Sequence, residues 1–212
     1  METITKIQLS PQETELVTNT EWILAKQNII KKVYALFGEI NELMKAEAEP
    51  FSELFTGNIK KQNGKISKGE NYQQLPYVIL DYPAFFDREN IFAIRTMFWW
   101  GNFFSITLHL SGTFKEQFKE KIPATFSFLQ KNNFFICVNK NEWEHHFEAD
   151  NYITSSAITL QQFEKIHQNN FLKISKKIAL SQWDETNDFI INSFREIMQL
   201  LQISCPAGKK DL

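Results

Sequence analysis

The sequence predicts an α+β fold: a central antiparallel sheet of about five strands flanked by helices, with a long N-terminal helix and a C-terminal helix packed on the sheet. Three observations carry this. Apolar residues near both ends recur at helical spacings of three, four and seven. The middle of the chain instead breaks into short β-rich runs. Two of those runs are separated only by Gly101-Asn102, which favours antiparallel pairing.

Composition bounds the alternatives. The chain has 212 residues, 43% of them apolar and 23% charged, which is ordinary for a globular protein. Gly (7) and Pro (6) together are about half as frequent as usual, which excludes collagen, Pro-rich linkers and low-complexity disorder. With 23 basic and 25 acidic residues the net charge is −2, so no strongly basic face marks a nucleic-acid partner. Apolar runs fall short of the ~18 residues of a membrane helix, and a membrane partner is not expected. The 20 Phe, 5 Trp and 5 Tyr predict an aromatic core. Only two Cys occur, Cys137 and Cys205, and they read as free thiols of a reducing compartment. The first residues, Met1 to Lys6, lack the basic start and apolar run of a signal peptide, so a cytoplasmic location is expected.

The expected organisation is a single domain over 1–212. It comprises a helical segment at about 11–47, a sheet-bearing core at about 64–180, a C-terminal helix at about 182–202 and a frayed tail. Ser10-Pro11-Gln12-Glu13 is a capping box with Pro at the first helical position. Thr20 reads as the cap of a second helix, whose apolar stripe runs from Trp22 to Met44. Gly38 inside that helix costs about 1 kcal/mol relative to Ala, so it reads as the mark of a close contact. Residues 51–75 carry turn signals. Strand runs follow at 77–80, 91–100, 103–110, 134–138 and 172–180, with 142–148 as a hairpin partner of 134–138. Between them, Thr113 starts a helix over about 114–130, kinked at Pro123, and Thr159 starts a short one to about His167. Ser181 with Asp184 reads as the cap of the last helix.

The hairpin around Gly101-Asn102 holds the candidate site. With those two residues as the loop, Trp100 faces Phe103, Phe98 faces Ser105 and Thr96 faces Thr107. Side chains alternate between faces. One face then carries Trp99, Met97, Phe104, Ile106, Leu108 and Leu110, with Arg95 as a lone charge. The other carries Trp100, Phe98, Phe103, Ser105, Thr107 and His109, joined by Tyr72 from the preceding turn region. Aromatic walls beside orienting polar groups suit a ligand. A helix packed over the aromatics, with Ser and Thr as plain strand formers, fits the same pattern. Arg95 reads either as a clamp on a carboxylate or phosphate, or as a structural ion pair with an acid such as Asp81.

Other chemistries have weak signals. Gly57 to Ile66 resembles a phosphate loop, but six residues separate its glycines and Ile66 replaces the Mg²⁺-binding Ser or Thr. Glu142-Trp143-Glu144-His145-His146 is the densest run of metal-ligating types. It lacks a Cys pair or a His-Glu-x-x-His helix, and adjacent His side chains diverge along a strand. No Gly-x-Ser-x-Gly or Gly-x-Gly-x-x-Gly is present. No cofactor and no metal are therefore expected. The expected function is a non-catalytic binding or interaction module using the aromatic and hydroxyl face. Its partner would be a small molecule or a protein, including a second copy of the chain. The alternative is a hydrolase or group transferase with a pocket around Arg95, His109 and Glu70.

Overall fold

The computed structural model describes residues 7–55, 59, 63–116 and 122–204. Helices α1 (Pro11–Thr18) and α2 (Thr20–Ala48) come first. The capping box forms as predicted: Ser10 Oγ accepts from the Glu13 N–H at 3.2 Å, and the Ser10 N–H donates to Glu13 Oε2 at 2.7 Å. Helix α2 is capped one residue earlier than expected, because Asn19 Oδ1 accepts from the Trp22 N–H at 2.9 Å. Its buried stripe is Val33, Phe37, Ile40, Met44 and Ala48. Gly38 marks no close contact: a Cβ there would meet nothing within 4 Å.

The sheet has seven strands, two more than the sequence suggested. They are β1 (Lys65–Tyr72), β2 (Leu75–Phe86), β3 (Ile91–Trp99), β4 (Phe103–Ser111), β5 (Phe135–Cys137), β6 (Tyr152–Thr154) and β7 (Phe171–Ala179). Their order is β1-β2-β3-β4-β7-β5-β6, every pairing antiparallel. Strand β1 hides in the Gly- and Lys-bearing stretch because it is an edge strand whose side chains stay largely in water. The partner of β5 is β6, and 142–148 is an irregular loop.

The remaining helices are α3 (Gly112–Glu116), α4 (Ile122–Lys131), α5 (Leu160–His167) and α6 (Thr186–Ser204). The stretch that would join α3 to α4 into the expected single helix lies outside the described residues, as do Cys205 and the tail. The Ser181 cap does not form. A 3-10 turn over Leu180–Glu185 intervenes, with Gln182 outside helical dihedrals at φ −98 and ψ 40, and α6 starts after it.

One side of the sheet packs on α2 and α6. Val78, Leu80, Ile94, Phe98, Phe104, Ile106 and Leu108 meet Phe37, Ile40, Phe194 and Met198 there in one buried cluster. Each such side chain removed from water contributes about 1.5–3 kcal/mol, so this layer fixes which way β3 and β4 face.

That orientation corrects the predicted hairpin. Trp99, not Trp100, lies opposite Phe103, and the pairs continue as Met97 with Ser105, Arg95 with Thr107 and Ala93 with His109. The loop is Trp100-Gly101-Asn102. The Asn102 N–H donates to the Trp99 carbonyl at 3.1 Å, and Gly101 takes the positive φ of 70° that the turn requires. A one-residue change of register moves every side chain to the other face. Trp100 and Phe98 therefore belong to the helix-covered side, where their rings meet edge-on at 5.4 Å. Trp99, Met97 and Arg95 share the opposite side with Phe103, Ser105, Thr107 and His109.

Candidate functional site

The side of the sheet away from α2 and α6 concentrates the chemistry. Asp81, Arg95, Thr107 and Ser175 stand in one register line across β2, β3, β4 and β7. His109 stands opposite Lys173 in the β4–β7 ladder. Arg95 donates from Nε and Nη2 to the two carboxylate oxygens of Asp81 at 2.8 and 2.9 Å, so the ion-pair reading of this residue is the one observed. Ser175 Oγ donates to the Ile106 carbonyl at 2.9 Å, which leaves it to accept from Thr107 Oγ1 at 2.7 Å. Burial raises the pKa of the nearby Tyr152 hydroxyl well above the ordinary tyrosine value, with the Thr107 and Ser175 hydroxyls opposing.

The loop between β5 and β6 crosses this surface and is fastened from below. Tyr72 Oη accepts the His145 and His146 N–H groups at 2.7 and 3.0 Å and donates to Glu144 Oε2 at 2.9 Å. Burial and the nearby Glu144 carboxylate push the Tyr72 pKa up to about 12, so the hydroxyl keeps its proton. Lys173 Nζ donates to the carbonyls of Glu142 and Glu144 at 2.8 and 2.6 Å. Phe147 stacks on Tyr152 at 4.6 Å and meets Phe103 and Phe135 edge-on. The Asn151 amide donates to the His146 carbonyl.

The loop delivers Glu142 to His109, with Nε2 and Oε2 2.9 Å apart. Burial first, then the positive charges of Lys173 and Arg95, hold the His109 pKa down to about 3. The imidazole is thus neutral near pH 7. Its Nε2–H donates to the carboxylate, leaving Nδ1 as an acceptor. Burial also raises the Glu142 pKa, with Lys173 opposing. Trp143, next in the chain, sits edge-on to the His109 ring at 5.7 Å and stays 47% exposed. Burial and the surrounding cations keep His145 neutral too, its ring against Tyr72 at 5.4 Å.

Beside Glu142 and Trp143 opens a groove of about 660 Å³, lined also by Arg88, Ser111, Asn141 and Phe171. His109 backs its acid from beneath. A second groove, of about 770 Å³, lies at the other end of β4, where Phe103 and Lys177 face Asp184 and Asp188. The first has the stronger chemistry, since its carboxylate is held by a buried network.

The predicted residues therefore separate. Arg95, Phe103, Ser105, Thr107, His109 and Tyr72 share one face, whereas Trp100 and Phe98 lie on the other. Ser105, Thr107 and His109 are all buried. Glu70 does not form the expected pocket with His109. It is exposed on β1, 3.7 Å from Lys68, and the acid at His109 is Glu142. Glu142, Trp143, Glu144, His145 and Lys173 are the residues that sequence reasoning did not select. The density of ionisable groups at 142–146 was the available signal. Among the described residues no group of three or more His, Cys, Asp or Glu is placed to hold a metal ion. Also among them, no helix is long and apolar enough to cross a membrane. No family model matches this chain, and no curated protein or solved structure matches it either.

Proposed function

We propose that the protein binds a small polar ligand, of the polyhydroxylated class, in the groove walled by Trp143 and Glu142. The supporting observation is the Glu142–His109 pair: a buried imidazole fixes the carboxylate at 2.9 Å next to a half-exposed indole. An exposed indole offers a flat apolar platform for the carbon face of a sugar-like ring. Glu142, Ser111, Asn141 and Arg88 supply acceptors and donors around its rim for hydroxyl groups. The sheet face below holds the loop in place. With Ser105, Thr107 and His109 buried, a small molecule at the groove suits this surface better than a protein partner laid flat on the hairpin. The reading is of a cytoplasmic binding protein, on the Cys content of the sequence.

A thermal-shift panel of monosaccharides, polyols and sugar acids tests this, followed by calorimetry on Trp143→Ala and Glu142→Gln. We expect one panel class to raise the melting temperature, and each variant to lose about tenfold in affinity, equivalent to about 1.4 kcal/mol. A panel without any stabilising member, or a ligand indifferent to both substitutions, overturns the reading.

One observation favours a catalytic version of the same groove. Burial raises the pKa of Glu142, and the His109 Nε2–H fixes its carboxylate in place, the setting of a positioned general acid–base group. Under that version the bound ligand is slowly hydrolysed or transferred, and Glu142→Gln abolishes turnover while Trp143→Ala mainly raises KM.

A further inference from the structure

Of the ten large apolar side chains exposed among the described residues, six lie between 7 and 24. They are Ile7 (98%), Leu9 (57%), Leu16 (41%), Val17 (60%), Trp22 (48%) and Leu24 (53%). Helix α1 buries no residue, and the first buried residue of α2 is Val33. From Thr20 to Lys32, about 20 Å of α2, no residue is buried, and of the apolar side chains only Ile29 and Ile30 reach the core. An eight-residue helix such as α1 is marginal in water without packing, so its capping box and apolar content call for a covering surface.

The charges say what that surface is. Helix α1 carries Glu13 and Glu15 and no basic residue. The same stretch of α2 carries Lys26, Lys31 and Lys32 against Glu21. One arm therefore presents an acidic segment followed by a basic one, both bordered by apolar side chains. A self-complementary patch of this kind closes under a two-fold axis. Two copies laid antiparallel, with the axis near Trp22, place the acidic α1 of each along the basic stretch of the other. The six side chains expose on the order of 500 Å² per copy, a large part of the ~800 Å² per partner of a standard interface. A lipid surface fits worse, since anionic lipid favours basic residues throughout and α1 has none.

We propose that α1 and the first half of α2 form a dimerisation arm that pairs antiparallel with the arm of a second copy. This is independent of the ligand groove. Sedimentation velocity on the full chain should give twice the 24.9 kDa chain mass. Val17→Asp with Leu24→Asp should return it to the single-chain mass with an unchanged near-UV circular dichroism spectrum. Glu15→Lys alone and Lys31→Glu alone should each weaken dimerisation about tenfold. Mixing those two variants should restore wild-type affinity, because the mixed dimer rebuilds opposite charges at both ends. A wild-type chain that stays monomeric overturns the proposal, as does one that binds phosphatidylcholine–phosphatidylglycerol vesicles instead. So does a dimer that survives the Asp pair, or charge variants that fail to complement each other.

Discussion

Lys173 gives the sharpest test of the buried network. Its side chain is in β7, 1% exposed, with Nζ bonded to the carbonyls of Glu142 and Glu144. Burial lowers its pKa from the ordinary 10.5 to about 8, with Arg95 adding to the effect and Cys137, Glu142 and Glu144 opposing it. Below pH 8 both folded and unfolded chains carry the proton, and the folded state bears the full cost of the buried charge. Between pH 8 and 10.5 the unfolded chain holds a proton that the folded one has lost, so rising pH shifts the balance toward the folded state. The gap corresponds to about 3 kcal/mol, approached with a slope near 1.4 kcal/mol per pH unit. In Lys173→Met this pH dependence vanishes, and a pH-independent cost of about 1–3 kcal/mol per carbonyl without a donor replaces it. Tyr72 and Tyr152 favour the folded state less at alkaline pH, but they are present in both proteins and cancel in the difference. Cys137 is coupled to Lys173, and losing that charge raises its pKa further in the variant, which adds to the difference in the same direction. Urea unfolding followed by tryptophan fluorescence, at intervals from pH 7 to 10.5, measures that difference. Wild type should gain about 3 kcal/mol on the variant across the range. Parallel stability curves would refute the argument, because they mean that Lys173 is as readily ionised in the fold as out of it.

Two further substitutions probe other parts of the molecule. Tyr72→Phe removes the acceptor for two loop N–H groups and the donor to Glu144. It should cost about 1–2 kcal/mol and speed amide exchange at His145 and His146 but not in β3 or β4; unchanged exchange at the loop would show that the tyrosine does not fasten it. Gly38→Ala meets open space inside α2 and should stabilise the fold by about 0.5–1 kcal/mol, raising the melting temperature by about 2 °C; a lower melting temperature contradicts the open-space reading.

The helices and the α+β class were legible because amphipathic periodicity and caps are local signals. Ser10 with Glu13 and Thr159 with Gln162 close as capping boxes within three residues of sequence. The seven-strand count was not legible. Strand β1 is largely polar and buries no residue, and β6 has only three residues, too few for an alternating pattern. The site was half legible. The alternation along β4 put Phe103, Ser105, Thr107 and His109 on one face, and a period-two pattern needs no partner to be read. Which β3 residues join them depends on the turn, and Gly101-Asn102 fits a two-residue loop as well as a three-residue one. Glu142 reaches His109 through an irregular loop whose path is set by Tyr72 and Lys173, far away in sequence. Such a path leaves no local mark.

The Trp100-Gly101-Asn102 turn acts as a phase setter for the whole molecule. Its length decides whether Arg95 meets the hydroxyl row or is driven among the phenylalanines under α2 and α6. Residue identity in the turn can drift where the backbone allows it, but a single deletion would invert β3 and set an unpaired guanidinium in hydrocarbon.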